Sequence, residues 1–168
     1  ILMLWEFLKE KMLSRPSSKM QEEDANITYE EAVIFAESFG KKLRTPCCAI
    51  LCQSELAAAL ALLSCFAAGV TAVPLSFRYG EAHCKRILRK IRPSAMITDV
   101  GGELRVLHLD IAEKKQGTLE EWPAAILCTS GTTGEPKGVM LSEENFLTNI
   151  RDICKYFKIE ETDRILIC

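Results

Sequence analysis

The sequence is poor in the residues that build metal centres. Histidine occurs only at His83 and His108, and the cysteines include no C-x-x-C pair, so zinc-type ligand spacing is absent. No sign of charge dominates: 21 basic against 23 acidic side chains leave a net charge of −2, interspersed along the chain. A nucleic-acid grip needs clustered basic charge, so that partner is set aside. Internal repeats and low-complexity segments are missing too. No signal peptide is read at the start, because Glu6, Lys9, Glu10 and Lys11 interrupt the apolar Ile1 to Leu4. The lack of an initiator methionine suggests a chain cut from a longer one.

One long uncharged run is present, the twenty residues from Leu56 to Leu75. About 20 apolar residues would cross a bilayer as a helix. Gly69, Thr71 and Pro74 break that pattern, and a buried helix turning into a buried strand explains the run better. No membrane span is expected. There are eight cysteines, and Cys52, Cys65, Cys128, Cys154 and Cys168 lie in or beside apolar stretches. They read as buried, reduced thiols of a cytoplasmic protein. The neighbours His83 and Cys84 diverge on a helix and make no catalytic dyad. The pairs Glu22/Glu23, Glu120/Glu121 and Glu160/Glu161 sit in polar runs and read as surface charge.

The chain has 168 residues, 48% of them hydrophobic, which suits one globular domain or part of a larger one. Leu4, Leu8 and Met12 mark a short amphipathic helix, and Ser14 to Ala25 reads as a loop. Thr28 and Glu31 fit a capping box for a helix with Ala32, Phe35, Ala36 and Phe39 on its apolar face. Cys48 to Cys52 is a strand candidate. A helix capped by Ser54 and stopped by Gly69 follows, then a strand over Val70 to Pro74. Tyr79 to Arg92 is a basic helix whose charges form a solvated face, ended by Pro93. Strands are expected at Ala95 to Thr98 and Leu104 to Leu109, with a connection over Ile111 to Trp122. Ser142 caps a last helix with Phe146, Ile150, Ile153 and Phe157 buried, and Asp163 to Cys168 begins a new strand. This alternation predicts an α/β fold with a largely parallel sheet flanked by helices.

The most informative stretch is Thr129-Ser130-Gly131-Thr132-Thr133-Gly134-Glu135-Pro136-Lys137-Gly138, between the apolar runs Ala124 to Cys128 and Val139 to Leu141. Glycine lets another group approach the backbone closely, and successive N–H groups in a turn form a nest for anions. The hydroxyls of Thr129, Ser130, Thr132 and Thr133 add donors, and Lys137 adds a mobile charge. Pro136 sets the direction in which the lysine leaves. A P-loop would place Lys after Gly and a hydroxyl after Lys, then open a helix. Here Lys137 follows proline, Gly138 follows Lys137, and a strand is expected next. The reading is a strand-loop-strand phosphate cradle, and the competing one is a flexible surface hairpin.

Ala124 to Ser142, AAILCTSGTTGEPKGVMLS, resembles the phosphate-binding signature of the adenylate-forming (AMP-binding) superfamily. This includes acyl- and aryl-CoA synthetases, luciferases and the adenylation domains of peptide synthetases. The resemblance implies that Thr129, Ser130, Gly131, Thr132, Thr133, Gly134 and Lys137 contact ATP while a carboxylate attacks the α-phosphate, giving an acyl-adenylate and pyrophosphate. It also implies Mg²⁺ with the ATP, CoA as acceptor in the parent enzyme, an acid-thiol ligase class and a place in fatty acid metabolism. One departure is Ser142-Glu143, where many acyl-CoA synthetases have Ser-His.

By resemblance, residues 1–168 cover only the early part of the family's large N-terminal domain. The carboxylate pocket, the ribose-binding acid and the catalytic lysine of the mobile domain lie beyond Cys168, so no catalytic residue is assigned. The expectation is a fragment inactive alone, self-associating through surface that the parent buries. The alternatives are a fragment of an amino-acid adenylation domain, and a non-catalytic nucleotide-binding or interaction remnant.

Overall fold

Short apolar strands separated by capped helices fold here into a layered α/β arrangement. The computed structural model describes residues 3–110, 123–130 and 136–166. In chain order the elements are α1 (Met3–Leu13), β1 (Lys19–Glu22), β2 (Ala25–Thr28), α2 (Tyr29–Gly40), β3 (Cys47–Ile50), α3 (Glu55–Ala68), β4 (Thr71–Pro74), α4 (Glu81–Ile91), β5 (Ala95–Val100), β6 (Glu103–His108), β7 (Ala125–Ser130), β8 (Pro136–Leu141) and α5 (Glu143–Phe157). A 3₁₀ turn, Phe77–Tyr79, precedes α4.

The main sheet has the order β6-β5-β3-β4-β7-β8. Its four inner strands are parallel, and an antiparallel hairpin closes each edge. The expected largely parallel sheet is therefore a mixed one with a parallel centre. The central strands β3 and β4 are covered on both faces, as parallel strands require, whereas Leu127 of β7 is exposed. In β3, Cys48 and Ile50 pack with Phe39, Ala61 and Cys65 beneath α2 and α3. The alternate residues Cys47 and Ala49 pack with Val73, Cys84 and Ile87 beneath α4. The crossovers β3–α3–β4 and β4–α4–β5 step in opposite directions along the sheet. Crossovers of one hand must then lie on opposite faces, which is where α3 and α4 are found.

Local chemistry fixes the helix ends. Thr28 and Glu31 form the expected capping box of α2. Ser54 caps α3, and Gly69 ends it in the left-handed region at φ 66°, a conformation glycine adopts without strain. Gly40 has a different reason to be small: a Cβ there would stand 2.9 Å from the Ser64 carbonyl oxygen, so its absence lets α2 and α3 approach closely. An outer layer forms where Leu4 and Trp5 of α1 meet Val33, Ala36, Phe66 and Leu147. The Phe66 and Phe146 rings meet edge-on at 5.4 Å.

Three expectations are corrected. Ser14 to Ala25 is not a plain loop, because β1 and β2 pair antiparallel through it. Each strand has only four residues and one larger apolar side chain, Met20 facing Ile27, with the rest half-exposed or exposed, so no apolar run announced them. In α5, Phe146 and Ile150 pack inward with Leu147, but Ile153 and Phe157 are 43% and 68% exposed. The helix reaches past the layer that covers its first half. Asp163 to Leu166 form no strand. The connection Ile111 to Trp122 and Cys168 lie outside the described residues. Among the described residues no helix is long and apolar enough to cross a membrane; the uncharged run divides into α3 and β4, as expected.

Candidate functional site at the β7–β8 hairpin

β7 enters the sheet on apolar residues: Ala125 and Ile126 are buried, and Ala125 pairs with Ala72 of β4. The chain returns antiparallel as β8, with Thr129 opposite Lys137 and Ser130 opposite Pro136. The strand-loop-strand setting is thus present, and the next helix, α5, starts only at Glu143. Gly131, Thr132, Thr133 and Gly134 lie outside the described residues, whereas Thr129, Ser130 and Lys137 lie within them. Facing residues of an antiparallel pair share a side of the sheet. Thr129 and Lys137 therefore project together, and the Thr129 hydroxyl donates to the Lys137 carbonyl at 3.5 Å. Both sit at the mouth of the hairpin, with the Lys137 side chain exposed.

The other side of the hairpin is held by α4. Pro136 is fully buried. A Cβ on Gly138 would come within 3.0 Å of Ile126 Cγ2 and 4.0 Å of Ile91 Cδ1, so glycine lets the strand seat against its neighbours. The Lys90 ammonium donates to the Pro136 carbonyl at 2.6 Å. Burial pushes the nearby Cys128 thiol up, and the Lys90 charge opposes this. Lys90 is exposed, in line with the solvated face expected from sequence, and what sequence did not show is its contact with the Pro136 carbonyl. Its place in the last turn of α4, beside the packed Ile87 and Ile91, was the available signal.

Topology gives the hairpin a second distinction. From β4 the chain departs across α4 toward β5, while from β7 it turns the other way, to β8. Strand order thus diverges between β4 and β7. In open α/β sheets, ligands bind outside the carboxyl ends of strands at such a divergence, and the hairpin leaves β7 at that end.

The start of α3 lies at the carboxyl end of β3, and its free amides are already engaged. The Glu22 carboxylate accepts from the Glu55 and Leu56 amides at 2.9 and 3.1 Å, and from the Ser54 hydroxyl. Asp99 accepts from the Gln53 and Ser54 amides at 2.7 and 3.2 Å. The Ser54 hydroxyl and these amides hold the Glu22 carboxyl below the usual carboxylate range. Glu22, read from sequence as surface charge, is a helix cap supplied across the fold.

Among the described residues no rival site stands out. His83 meets Arg86 at 3.3 Å and the Tyr79 ring at 5.3 Å, whereas the Cys84 thiol donates to the Ser76 carbonyl. The two side chains diverge, as expected. Among the described residues no group of three or more His, Cys, Asp or Glu could hold a metal ion.

The family model described as AMP-binding enzyme matches residues 9–168, and the chain belongs to that family. Among curated relatives, a hybrid PKS-NRPS synthetase of a Fusarium species is 31% identical over 124 residues, 63% of this chain and 3% of the relative. A chloroplastic long-chain-fatty-acid–[acyl-carrier-protein] ligase of Arabidopsis thaliana is 51% identical over 43 residues, 26% of this chain and 6% of the relative. Among solved structures, o-succinylbenzoate CoA synthetase of Bacillus subtilis, in complex with its acyl-adenylate intermediate, superposes with a TM-score of 0.74 at 23% identity, over 97% of this chain and 48% of that one. A fatty acyl-adenylate ligase of Legionella pneumophila, in complex with acyl adenylate and pyrophosphate, gives 0.68 at 22% identity, over 94% of this chain and 33% of that one. The chain thus spans a small fraction of these curated relatives and less than half of these structures.

Proposed function

We propose that the β7–β8 hairpin is the ATP-phosphate grip of a carboxylate-activating ligase, with residues 1–168 forming the early part of its N-terminal domain. The observation that carries this is the pairing of Thr129 with Lys137 at the mouth of a hairpin placed where the strand order diverges. In this reading Thr129, Ser130, Gly131, Thr132, Thr133, Gly134 and Lys137 hold the β- and γ-phosphates. Lys137 offsets charge that grows on the leaving pyrophosphate, and the hydroxyls fix its orientation. Magnesium, when bound with the nucleotide, would neutralise part of the phosphate charge that Lys137 also faces. With no acidic cluster among the described residues, it would be held largely through the nucleotide.

The activated acid is then passed to an acceptor, CoA in the leading version. A second version, an amino-acid adenylation domain, draws support from the hybrid PKS-NRPS relative. The free cysteines at Cys47, Cys48, Cys52, Cys65, Cys84, Cys128 and Cys154 suit a reducing compartment such as the cytoplasm. The exposed Leu127, Val139, Met140, Tyr156 and Phe157 favour self-association of the chain. A monomer by light scattering at high concentration would count against that.

Titration of the purified chain with ATP and Mg²⁺ tests the grip. Lys137→Ala is expected to weaken binding at least about tenfold, the loss of one charge-assisted contact. Equal affinity of the two proteins would overturn the reading. Pyrophosphate exchange by this chain alone is expected to match the Lys137→Ala background.

A further inference from the structure

Lys90 is the one helix residue among those described that reaches the loop end of the hairpin with a charged hydrogen bond. Pro136 has no N–H, and its ring fixes φ, so its carbonyl is the remaining polar handle on the backbone just before Lys137. That carbonyl is held at 2.6 Å by the Lys90 ammonium. Pro136 and Gly138 share the α4 side of the ladder, where Ile91 and Ile126 pack. Lys137 and Thr129 alternate to the opposite side.

We propose that Lys90 is a positioning residue for the phosphate grip: it clamps the Pro136 carbonyl from α4, sets the direction in which Lys137 leaves the strand, and adds a second positive charge on the opposite side of the hairpin. This rests on the phosphate-binding reading above. Lysine carries three donors and one is spent on Pro136, so its charge still acts on an anion at the hairpin mouth. Cys128, on the same face, already senses that charge against its burial.

The test uses the purified chain with Lys90→Met, Lys90→Arg, Lys137→Ala and, as a control on the same helix, Lys85→Met, whose ammonium pairs with Glu81. Inorganic pyrophosphate is titrated at low and high salt. Lys90→Met is expected to weaken binding about tenfold, Lys90→Arg to recover most of that loss, and Lys85→Met to change it less than about twofold. Without ligand, Lys90→Met is expected to speed hydrogen exchange across Pro136–Leu141 and to slow alkylation of Cys128, with Lys90→Arg close to wild type in both.

Wild-type pyrophosphate affinity in Lys90→Met, with Lys137→Ala impaired, overturns the proposal and leaves the phosphate reading standing. If Lys137→Ala binds as wild type, the phosphate reading itself fails. The ligand-free measurements then decide on Lys90: unchanged exchange across Pro136–Leu141 in Lys90→Met overturns the clamp. If Lys90→Met does not fold, Lys90→Arg decides by the same exchange and affinity comparison, and a tenfold loss there overturns the charge-based role.

Discussion

The Glu143 carboxylate accepts a hydrogen bond from the Leu4 backbone amide at 3.1 Å, joining residues 139 apart in sequence. The first amides of a helix have no partner within it, and Leu4 stands in the first turn of α1. Glu143 itself opens α5, where negative charge is also favoured. One side chain thus ties two helix starts together over the buried Trp5 and Leu147. Glu143 is also the residue that stands where many acyl-CoA synthetases have histidine, and in this chain it has a packing role. Glu143→Ala is expected to cost about 1.5–3 kcal/mol, the range for a hydrogen bond to a charged group. Urea unfolding would show a lower midpoint, and limited proteolysis would cut sooner within α1. An unchanged midpoint with unchanged cleavage would refute the tie.

The Glu22 cap on α3 makes a pH-dependent prediction. Its carboxyl titrates below the usual range because the Ser54 hydroxyl and the Glu55 and Leu56 amides favour the charged form. A group depressed in the folded state contributes stability above its unfolded pKa, about 4.3, and loses it as pH falls through the folded value. Wild type should therefore exceed Glu22→Gln by about 1 kcal/mol at pH 7, the usual worth of a helix cap. The gap should close in acid, as pH falls below the usual carboxylate range. A gap that persists undiminished in acid would show that charge is not the cause.

Gly40→Ala probes the α2–α3 contact. The new methyl would sit 2.9 Å from the Ser64 carbonyl and 3.3 Å from the Ala68 Cβ, and neither atom belongs to a flexible side chain. The helices must separate, at about 1–3 kcal/mol for overpacking. Thermal melting is expected to fall by several degrees, with the largest rise in hydrogen exchange in α2 and α3. A gain in stability would mean that helix propensity outweighs the contact.

Thiol reactivity should follow burial. Burial pushes the Cys47 thiol up to about 12, and burial with the nearby Asp99 charge does the same for Cys52. Cys154, expected from sequence to be buried, is instead exposed on α5. Alkylation at pH 8, read by peptide mass, is expected to modify Cys154 well before Cys47 or Cys52, because the thiolate is the reacting form. Denaturant should erase the order. Early labelling of Cys47 in the native chain would contradict the packing of β3.

The parallel centre of the sheet was legible because each signal there is local. Ser54 and Gly69 bound α3 by side-chain and backbone preference, and Pro93 stops α4. The hairpin was legible from the glycine and hydroxyl pattern between two apolar runs. What escaped was decided by distant partners. The strands of the β1–β2 hairpin are four residues each with one larger apolar side chain apiece, and Glu22 gains its meaning only from α3, 32 residues away from it at Ser54. Ile153 and Phe157 keep the helical spacing of a buried face, yet no layer reaches them. Lys90 looks like its basic neighbours until the sheet brings Pro136 beneath it, 46 residues on.

The two carboxylates at α3 bear on how the fold discriminates between anions. Helix starts beside parallel strands are common resting places for phosphate, and α3 begins at one. With Glu22 and Asp99 held there, an incoming nucleotide meets like charge and finds the amides already taken. The molecule thus carries its own permanent competitor at the more generic phosphate berth. On the phosphate-binding reading proposed above, repulsion at α3 leaves the hairpin, flanked by Lys90 and Lys137, as the berth for a nucleotide.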